Sequence, residues 1–388
     1  MSCVSRAKGG WNVPDHRVPD DRVPDLTPVI VAARRTAIAT FGQTFAHLSA
    51  SDLAAPVIQA VIADALRADD PIDDLVLGVA RGPGGNPARV AGLTAGLDAS
   101  IPAITVDRQC GSGLAAIQVA CDMVKAASAR IVLAGGAESA STAPAGRARF
   151  APDDIGDPDM GPAAEELAEV RGITRERQDA YAARSHVRAL MADMSAEIVE
   201  VAGLVRDARP RSMRPEVLAR MPAAFVPHGT VTAGNSCGIS DGAALVAVVP
   251  EWWRAERALP GLAVRGSAAI GVDPRLPGIG PAPAIERLLH QAGIGLADVD
   301  VLEITEAFAA QLLAVTDALG LDALGRDADR ICPQGGAIAV GHPWGASGAI
   351  GMVRLFTQLV RQDGPRLGIA ACAVGGGMGL ATLVERVG

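Results

Sequence analysis

Glycine-rich turns that join apolar strands to helices constrain the fold of this chain most strongly. Ala103–Val106 predicts a strand, residues 108–113 (Arg-Gln-Cys-Gly-Ser-Gly) predict a turn, and apolar residues at helical spacing predict a helix over 114–127. A second apolar strand is predicted over 131–134. Strands that alternate with helices usually pair in parallel and bury both faces of their sheet. The pattern therefore predicts an α/β fold.

The C-terminal part of the chain repeats this pattern. Residues 346–348 (Ala-Ser-Gly) open a helical segment that leads to the glycines 375–376, just as residues 111–113 open one that leads to the glycines 135–136. Repetition of one supersecondary unit predicts two duplicated α/β halves. Further strands are predicted at residues 29–33, 75–79, 301–304 and 368–371, and a further helix at 53–66.

Two segments differ from this pattern. Residues 1–27 contain Val-Pro-Asp three times, and proline at this frequency disfavours helices and central strands, so a flexible or surface-adhering tail is predicted. Residues 140–225 are rich in charged residues and proline and contain a helix with Thr174 as N-cap, which predicts a small inserted loop or lid domain. The two halves then comprise residues 28–139 with 226–255, and residues 256–388.

Composition and charge exclude several classes of protein. The net charge is -8 and Lys and Arg are not clustered, which argues against a nucleic-acid surface. The six cysteines form no CxxC pair and no zinc-ligand spacing, which predicts no metal site and a reducing, cytoplasmic environment. The uncharged stretch 367–384 is long enough to span a membrane, but its central glycines favour strand, turn and strand, so no membrane partner is predicted.

Cys110 stands where a predicted strand ends and a helix begins. Unpaired backbone N–H groups and the positive pole of the helix favour a thiolate at this position, which is the nucleophilic form of cysteine. Gly111 and Gly113 allow a sharp turn and the close approach of a substrate. The other interpretation is a small buried apolar side chain, the usual role of cysteine.

His342 follows an apolar segment that predicts a strand, and it lies between Gly341 and Pro343. A histidine in a glycine-rich turn fits a general base with a pKa near neutrality, or a turn residue hydrogen-bonded to the backbone. Cys372 closes the predicted strand 368–371, where it is either a second reactive thiol or a core residue.

Thr305 follows the predicted strand 301–304 and is expected to start a helix. Glu306 in the first turn would then complement the helix dipole. Phe308 either lines a pocket or fills the core.

Taken together, these segments resemble the thiolase family, over residues 29–388. Residues 106–114 (VDRQCGSGL) are similar to the nucleophile motif of the family, and residues 341–348 (GHPWGASG) to its catalytic histidine motif. Residues 229–238 (GTVTAGNSCG) are similar to the segment near the pantetheine arm of coenzyme A. Asn86-Pro87-Ala88-Arg89 and Met160-Gly161 with Ala164-Glu165 recur in family order.

The resemblance implies a layered α-β-α-β-α core built from duplicated halves, and a ping-pong mechanism. His342 would activate Cys110, which becomes acylated by a 3-ketoacyl-CoA, and Cys372 would exchange a proton with the acetyl-CoA carbon. His342 and a water held by Thr305 would form one oxyanion hole, and the backbone N–H groups of Cys110 and the Gly375 turn would form the other. Coenzyme A would be a co-substrate, with no tightly bound cofactor. The residues implied to bind it are Ala233, Ser236, Cys237, Met160 and Phe308.

Several positions depart from the family pattern. Thr305 replaces a usual asparagine, and Cys237 replaces a usual serine by a poorer hydrogen-bond partner. Measured from His342, Cys372 falls at the position of the second catalytic thiol, whereas measured back from Gly375, Ala373 does. We favour Cys372, because a one-residue loop adjustment is easier than the loss of a thiol. The segment between residues 143 and 229 is short and Asp159 replaces a common histidine, which favours a homodimer, with a tetramer possible.

Two alternatives to a thiolase remain open. One is a thiolase-like enzyme that performs another condensation or acyl transfer on CoA thioesters. The other is a non-catalytic acyl-CoA-binding subunit. A role in fatty acid metabolism is expected, in either the degradative or the biosynthetic direction.

Overall fold

The computed structural model describes residues 24–388. The predicted tail therefore lies outside the described residues except for positions 24–27. The backbone carbonyls of Asp25 and Thr27 accept hydrogen bonds from the N–H groups of Trp252 and Glu251.

Strands and helices alternate over most of the described chain. The strands are β1 (Pro28–Thr36), β2 (Ala39–Thr40), β3 (Asp74–Gly78), β4 (Ala103–Val106), β5 (Val132–Ser139), β6 (Ile198–Val199), β7 (Ser240–Pro250), β8 (Gly261–Gly271), β9 (Val301–Ile304), β10 (Leu367–Val374) and β11 (Met378–Val387). The helices are α1 (Ala50–Ala65), α2 (Pro87–Thr94), α3 (Ser112–Lys125), α4 (Met160–Arg171), α5 (Arg175–Met191), α6 (Pro215–Leu218), α7 (Glu251–Glu256), α8 (Pro281–Ala292), α9 (Ala309–Ala318), α10 (Ala337–Val340) and α11 (Trp344–Leu355).

The strands form one 11-stranded sheet in the order β4-β3-β5-β7-β1-β8-β11-β10-β9, with β2 and β6 paired at its side. In the N-terminal half, β3 is parallel to β4 and β5, while β7 is antiparallel to β5 and β1. In the C-terminal half, β10 is parallel to β9, while β11 is antiparallel to β10 and β8. β1 and β8 join the two halves. The prediction of duplicated α/β halves is confirmed.

Three hydrophobic clusters divide the protein into layers. Helices α3 and α11 pack against each other between the two halves of the sheet and form the central cluster. Helix α1 covers the outer face of the N-terminal half, and α8 and α9 cover the outer face of the C-terminal half. Burial of apolar surface is the main favourable term in folding, so these layers set the position of every other element. The arrangement is the predicted α-β-α-β-α core.

Helices α4, α5 and α6 lie in the segment predicted as an insertion. Thr174 caps α5 as predicted, because its hydroxyl accepts the N–H of Arg177. The phenol of Tyr181 on α5 is fully buried and donates to the carboxylate of Glu306 at 2.7 Å. The inserted helices are therefore packed into the C-terminal half.

Three sequence predictions are wrong in detail. The apolar segment before His342 forms the short helix α10 and no strand, since its backbone turns with Gly336 and Gly341 at its ends. The helix after β9 begins at Ala309, so Glu306 does not act on its first turn and is instead a buried acceptor for Tyr181. Cys372 lies inside β10, which continues to Val374.

The stretch 367–384 forms the predicted strand, turn and strand. Among residues 24–388, no helix is both long and apolar enough to cross a membrane. Within the same range, no three His, Cys, Asp or Glu side chains are grouped so that they could hold a metal ion.

Candidate active site

Cys110 lies in a single turn of 3₁₀ helix, Gln109–Gly111, between β4 and α3. The Ser112 hydroxyl fixes this turn, because it accepts the N–H of Arg108 at 2.8 Å and donates to the carbonyl of Gln109 at 2.6 Å. Gln109 has a φ of 46°, an uncommon conformation for a residue other than glycine. A tight turn therefore presents the thiol beside the N-terminus of α3.

His342 occupies the corresponding place before α11. Gly341 precedes it with a φ of 116°, and a Cβ atom there would lie 2.3 Å from the Ser240 hydroxyl, so only glycine fits. The backbone N–H of His342 donates to the carbonyl of Gly238 at 3.1 Å. The histidine is thus held between two segments of the chain that are distant in sequence.

The two helix N-termini meet because glycines line their contact. A Cβ atom at Gly136 would lie 2.0 Å from the carbonyl oxygen of Gly345, and one at Gly113 would lie 2.7 Å from the same atom. The buried carboxylate of Glu138 accepts the N–H groups of Gly345 and Ala80 at 2.8 and 3.1 Å. Burial raises the pKa of Glu138 to about 7, against the effect of these hydrogen bonds. This contact between the halves brings Cys110 and His342 to one place.

Cys110 and His342 line the same cavity, which has a volume of about 100 Å³. Met160 from α4 and Phe308 from the loop after β9 form part of its wall, and Trp344 from α11 closes another side. The other lining residues are Ala163, Ala164, Cys237, Pro277, Gly278, Ala307, Gln311, Ala373, Val374 and Gly375.

The hydrogen bonds of His342 define which ring nitrogen is free. The Ser347 hydroxyl donates a hydrogen bond to the carbonyl of Pro343 at 2.9 Å, so it accepts a hydrogen bond from the N–H at His342 Nδ1, at 2.6 Å. The imidazole is then protonated on Nδ1, while Nε2 is buried and has no hydrogen-bond partner among residues 24–388. Burial lowers the pKa of His342 to about 4, so the ring is neutral near pH 7. Such a ring can accept a proton in the cavity.

The resting state of Cys110 differs from the sequence prediction. Burial raises the pKa of its thiol well above the ordinary value, and the neighbouring thiols Cys372 and Cys237 add to this effect. This raised pKa favours the neutral thiol over the thiolate that the helix pole predicts. A neutral thiol becomes a strong nucleophile only when a base takes its proton.

Cys372 is fully buried and does not line the cavity, whereas Ala373 does. The Cys372 thiol lies 3.3 Å from the carbonyl oxygen of Cys110 and 3.2 Å from that of Ala373. Strands β10 and β11 pair without a register shift from Leu367 to Val374, so no bulge turns Cys372 towards the cavity. Burial raises the pKa of Cys372 to about 12, partly opposed by a hydrogen bond with Thr305.

Thr305 lies outside the cavity of Cys110. Thr305 lines a smaller cavity of about 40 Å³, together with Gly341 and Ser347. Its backbone N–H donates to the carbonyl of Ala371 at 2.9 Å. The structure therefore places Thr305 in contact with β10 and in a different cavity from Cys110.

Three of the five predicted CoA-binding residues line the cavity, namely Met160, Cys237 and Phe308. The other two do not. Ser236 is buried and its hydroxyl donates to the carbonyl of Thr232 at 2.6 Å, while Ala233 is exposed on the same segment.

Gln311 is a cavity residue that sequence reasoning missed. Its side chain is 1% exposed, and neither its amide nitrogen nor its amide oxygen has a hydrogen-bond partner within the described part of the chain. A buried amide without partners costs free energy unless a ligand satisfies it. The position of Gln311 three residues after Phe308, in the helix that was expected to start at Thr305, was an available signal, because residues three apart share one side of a helix.

Comparison with known proteins agrees with this geometry. Models of the thiolase N-terminal and C-terminal domains match residues 28–252 and 260–386. A putative acetyl-CoA C-acetyltransferase of Bacillus subtilis is 41% identical over 369 residues, which cover 93% of this chain and 99% of that protein. An acetyl-CoA acetyltransferase of Pseudomonas aeruginosa is 38% identical over 394 residues, which cover 92% of this chain and 99% of that protein.

A solved structure of an acetyl-CoA acetyltransferase also matches this chain. The crystal structure of the Bacillus anthracis acetyl-CoA acetyltransferase matches with a TM-score of 0.86 and 35% identity, and the match covers 94% of this chain and 100% of that one. The chain belongs to the thiolase family. It is an acyltransferase with thiolase function.

Proposed function

We propose that this thiolase cleaves short 3-ketoacyl-CoA with coenzyme A, giving acetyl-CoA and a shortened acyl-CoA, and catalyses the reverse condensation. The observation that carries the proposal is the unpartnered Nε2 of His342 in the cavity that also contains Cys110. Two further observations support a substrate with a short acyl chain. The cavity of about 100 Å³ is small beside the roughly 300–1,000 Å³ of common ligand pockets, and the relatives above are described as acetyl-CoA acetyltransferases.

The first half-reaction forms an acyl-enzyme. His342 Nε2 takes the proton of the Cys110 thiol, and the sulfur attacks the 3-keto carbon of the substrate. The bond between C2 and C3 then breaks, which leaves the acyl group on Cys110 and an electron pair on C2, and C2 takes a proton from an acid in the cavity to give acetyl-CoA. In the second half-reaction, coenzyme A attacks the thioester and Cys110 is released. Covalent catalysis divides one difficult cleavage into two easier steps.

Negative charge develops on the substrate carbonyl oxygens in both steps, so donors must face them. Gly375, in the turn between β10 and β11, lines the cavity together with Cys110, which supports a donor pair of backbone N–H groups there. The roles of Thr305, Ala233, Ser236 and Cys372 stay predictions.

The test is turnover of acetoacetyl-CoA and coenzyme A to acetyl-CoA, followed by mass spectrometry. We expect Cys110→Ala to lose about 10³-fold or more of kcat, as nucleophile removal does in other covalent enzymes. Cys121→Ala is the matched control, because Cys121 is a buried thiol on α3 outside the cavity. Wild-type protein that turns over neither short nor longer 3-ketoacyl-CoA would contradict the proposal.

A second candidate function is acyl transfer between CoA thioesters without cleavage of a carbon–carbon bond. Ala373, which carries no proton for a carbanion, lines the cavity in place of Cys372 and favours this alternative. Exchange of labelled coenzyme A into acetyl-CoA, without any cleavage of acetoacetyl-CoA, would identify it.

We further propose a cytoplasmic homodimer that acts in fatty acid metabolism and holds no cofactor tightly. β4 is an edge strand, and Ile104 on it and Val90 and Leu93 on α2 are about half exposed. An apolar edge of this kind supports association with a second copy. Light scattering in solution should give twice the chain mass of 39.5 kDa, and a monomer mass would overturn the homodimer.

A further inference from the structure

The cavity wall contains two thiols, Cys110 and Cys237. Each is half-buried and keeps part of its surface open. Cleavage of a 3-ketoacyl-CoA requires a second proton-transfer group, because the acetyl-CoA carbanion must be protonated. Cys372, which sequence reasoning favours for this step, is fully buried, and Ala373 in the cavity wall has no proton to give.

The backbone around Cys237 places it between the other walls of the cavity. Its own N–H donates to the carbonyl of Ala307 at 3.0 Å, and the preceding residue pairs with Phe308 in an isolated bridge. The carbonyl of the following residue, Gly238, accepts the N–H of His342. Cys237 is therefore fixed beside both the catalytic histidine and the loop after β9.

The inserted domain supports this segment from the other side. Glu165 on α4 accepts the N–H groups of Thr230 and Val231 at 2.8 and 2.7 Å. The buried amide of Asn235 donates to Asp179 on α5 at 2.9 Å. These contacts hold residues 229–238 rigidly, which a proton-transfer group needs because its reach is about one hydrogen bond.

We infer that Cys237 is a further catalytic residue, which protonates the acetyl-CoA carbanion during cleavage and removes that proton during condensation. The inference rests on the proposed thiolase reaction and names the group that completes it. It replaces the assignment of this step to Cys372.

The proton balance closes with Cys110, His342 and Cys237 alone. When the C2–C3 bond breaks, the electron pair on C2 takes the proton of Cys237, leaving a thiolate there and an imidazolium at His342. The Cys237 thiolate then takes the proton of the incoming coenzyme A thiol, and the resulting CoA thiolate attacks the acyl group. Cys110 leaves as a thiolate and recovers its proton from His342. All three side chains return to their starting states.

The surroundings of Cys237 suit both of its charge states. Burial raises the pKa of its thiol to about 12, so it is protonated before the carbanion forms. The guanidinium of Arg209 opposes this effect and stabilises the thiolate that follows. Arg209 packs on Gly238, where a Cβ atom would lie 2.1 Å from its Cζ, and its Nε has no hydrogen-bond partner within the described residues. The cation is therefore not neutralised by a bond at that nitrogen.

Two half-reactions separate this inference from the proposed function. Acetylation of Cys110 by acetyl-CoA, measured by mass spectrometry of the intact protein, tests the nucleophile. Exchange of the methyl protons of acetyl-CoA in heavy water, measured on the same samples, tests the carbon proton step. Coenzyme A leaves as a thiolate, which is a far weaker base than the carbanion formed during exchange, so acetylation depends much less on an acid than exchange does.

We expect Cys237→Ala to acetylate Cys110 within about ten-fold of the wild-type rate and to lose about 100-fold or more of the exchange. Cys237→Ser keeps the volume of the side chain but carries a far weaker acid, so it should lose exchange as well. Cys372→Ala should lose much less exchange than either variant. Cys332→Ala controls for removal of a buried thiol elsewhere. Circular dichroism melts verify that each variant is folded.

Three outcomes would overturn the inference. Exchange lost in Cys372→Ala and kept in Cys237→Ala would assign the step to Cys372. Exchange kept in both variants would assign it to another group. A wild-type protein that acetylates Cys110 but never exchanges the methyl protons would show that no carbon acid step occurs. Failure of wild-type acetylation is different, because it would contradict the proposed nucleophile itself.

Discussion

The two helices that meet at the active site begin in different ways, although they occupy equivalent places in the duplicated halves. Ser112 is the first residue of α3, and its hydroxyl bonds to the backbone of Arg108 and Gln109 and shapes the turn that presents Cys110. Ser347 has the matching place in the repeated motif but lies inside α11, and its hydroxyl bonds to the backbone of Pro343 and to the ring of His342. One hydroxyl therefore builds a turn, whereas the other also sets the tautomer of a base. Duplication supplied two similar junctions, and small local differences made one a nucleophile site and the other a base site.

A substitution at the contact between the two junctions should have the largest effect on stability and activity. We expect Gly136→Ala to lower stability by about 3 kcal/mol, because the new Cβ atom would meet the backbone oxygen of Gly345 at 2.0 Å and neither backbone can move easily. Activity should fall as well, since the two helix N-termini are forced apart. Chemical denaturation followed by circular dichroism measures the shift of the unfolding midpoint.

Gly351→Ala on α11 is the matched control. A Cβ atom there has no neighbour closer than 3.8 Å, and alanine favours a helix over glycine by about 1 kcal/mol. We therefore expect unchanged or slightly raised stability and unchanged turnover. If Gly136→Ala were as stable as Gly351→Ala, the close approach of the two halves would not be needed for folding.

Local patterns in the sequence predicted the elements that depend on local forces. β4 and β9 have the predicted bounds, and Thr174 caps α5 as predicted. The sequence did not reveal α10, because a short apolar run is compatible with either a strand or a helix. It also misassigned Glu306, whose partners Tyr181 and Ser185 come from α5. Such contacts depend on the tertiary fold, which periodicity does not describe.

The candidate site also contains some residues that the sequence predicted and others that it did not. The positions of Cys110 and His342 before two helices could be predicted, since each follows from a glycine-rich motif. The choice between Cys372 and Ala373 could not, because one residue of strand register moves a side chain to the opposite face of the sheet. Gln311 was missed because its importance comes from a buried amide without a partner among the described residues. Glu138 was missed because its importance comes from three N–H donors that are distant in the sequence.

A smaller effect, the pH dependence of Cys110 reactivity, also tests how the two junctions differ. Only the thiolate reacts with iodoacetamide, and burial raises the pKa of the Cys110 thiol well above its ordinary value. The labelling rate of the free enzyme should therefore keep rising from about pH 7 to about pH 9.5, close to ten-fold for each pH unit, without the plateau expected above an ordinary thiol pKa of about 8.5.

The pKa of His342 gives a second expectation for the same labelling experiment. Burial lowers the pKa of His342 to about 4, so the imidazole is already neutral and its titration should add no inflection near pH 6.5. The rate is read from mass spectrometry of the peptide that contains Cys110. A plateau below about pH 8 would mean that the helix pole and the histidine hold a thiolate in the resting enzyme. In that case the N-terminal junction would be charged before substrate binds, and the two junctions would differ in their resting charge as well as in their hydrogen bonds.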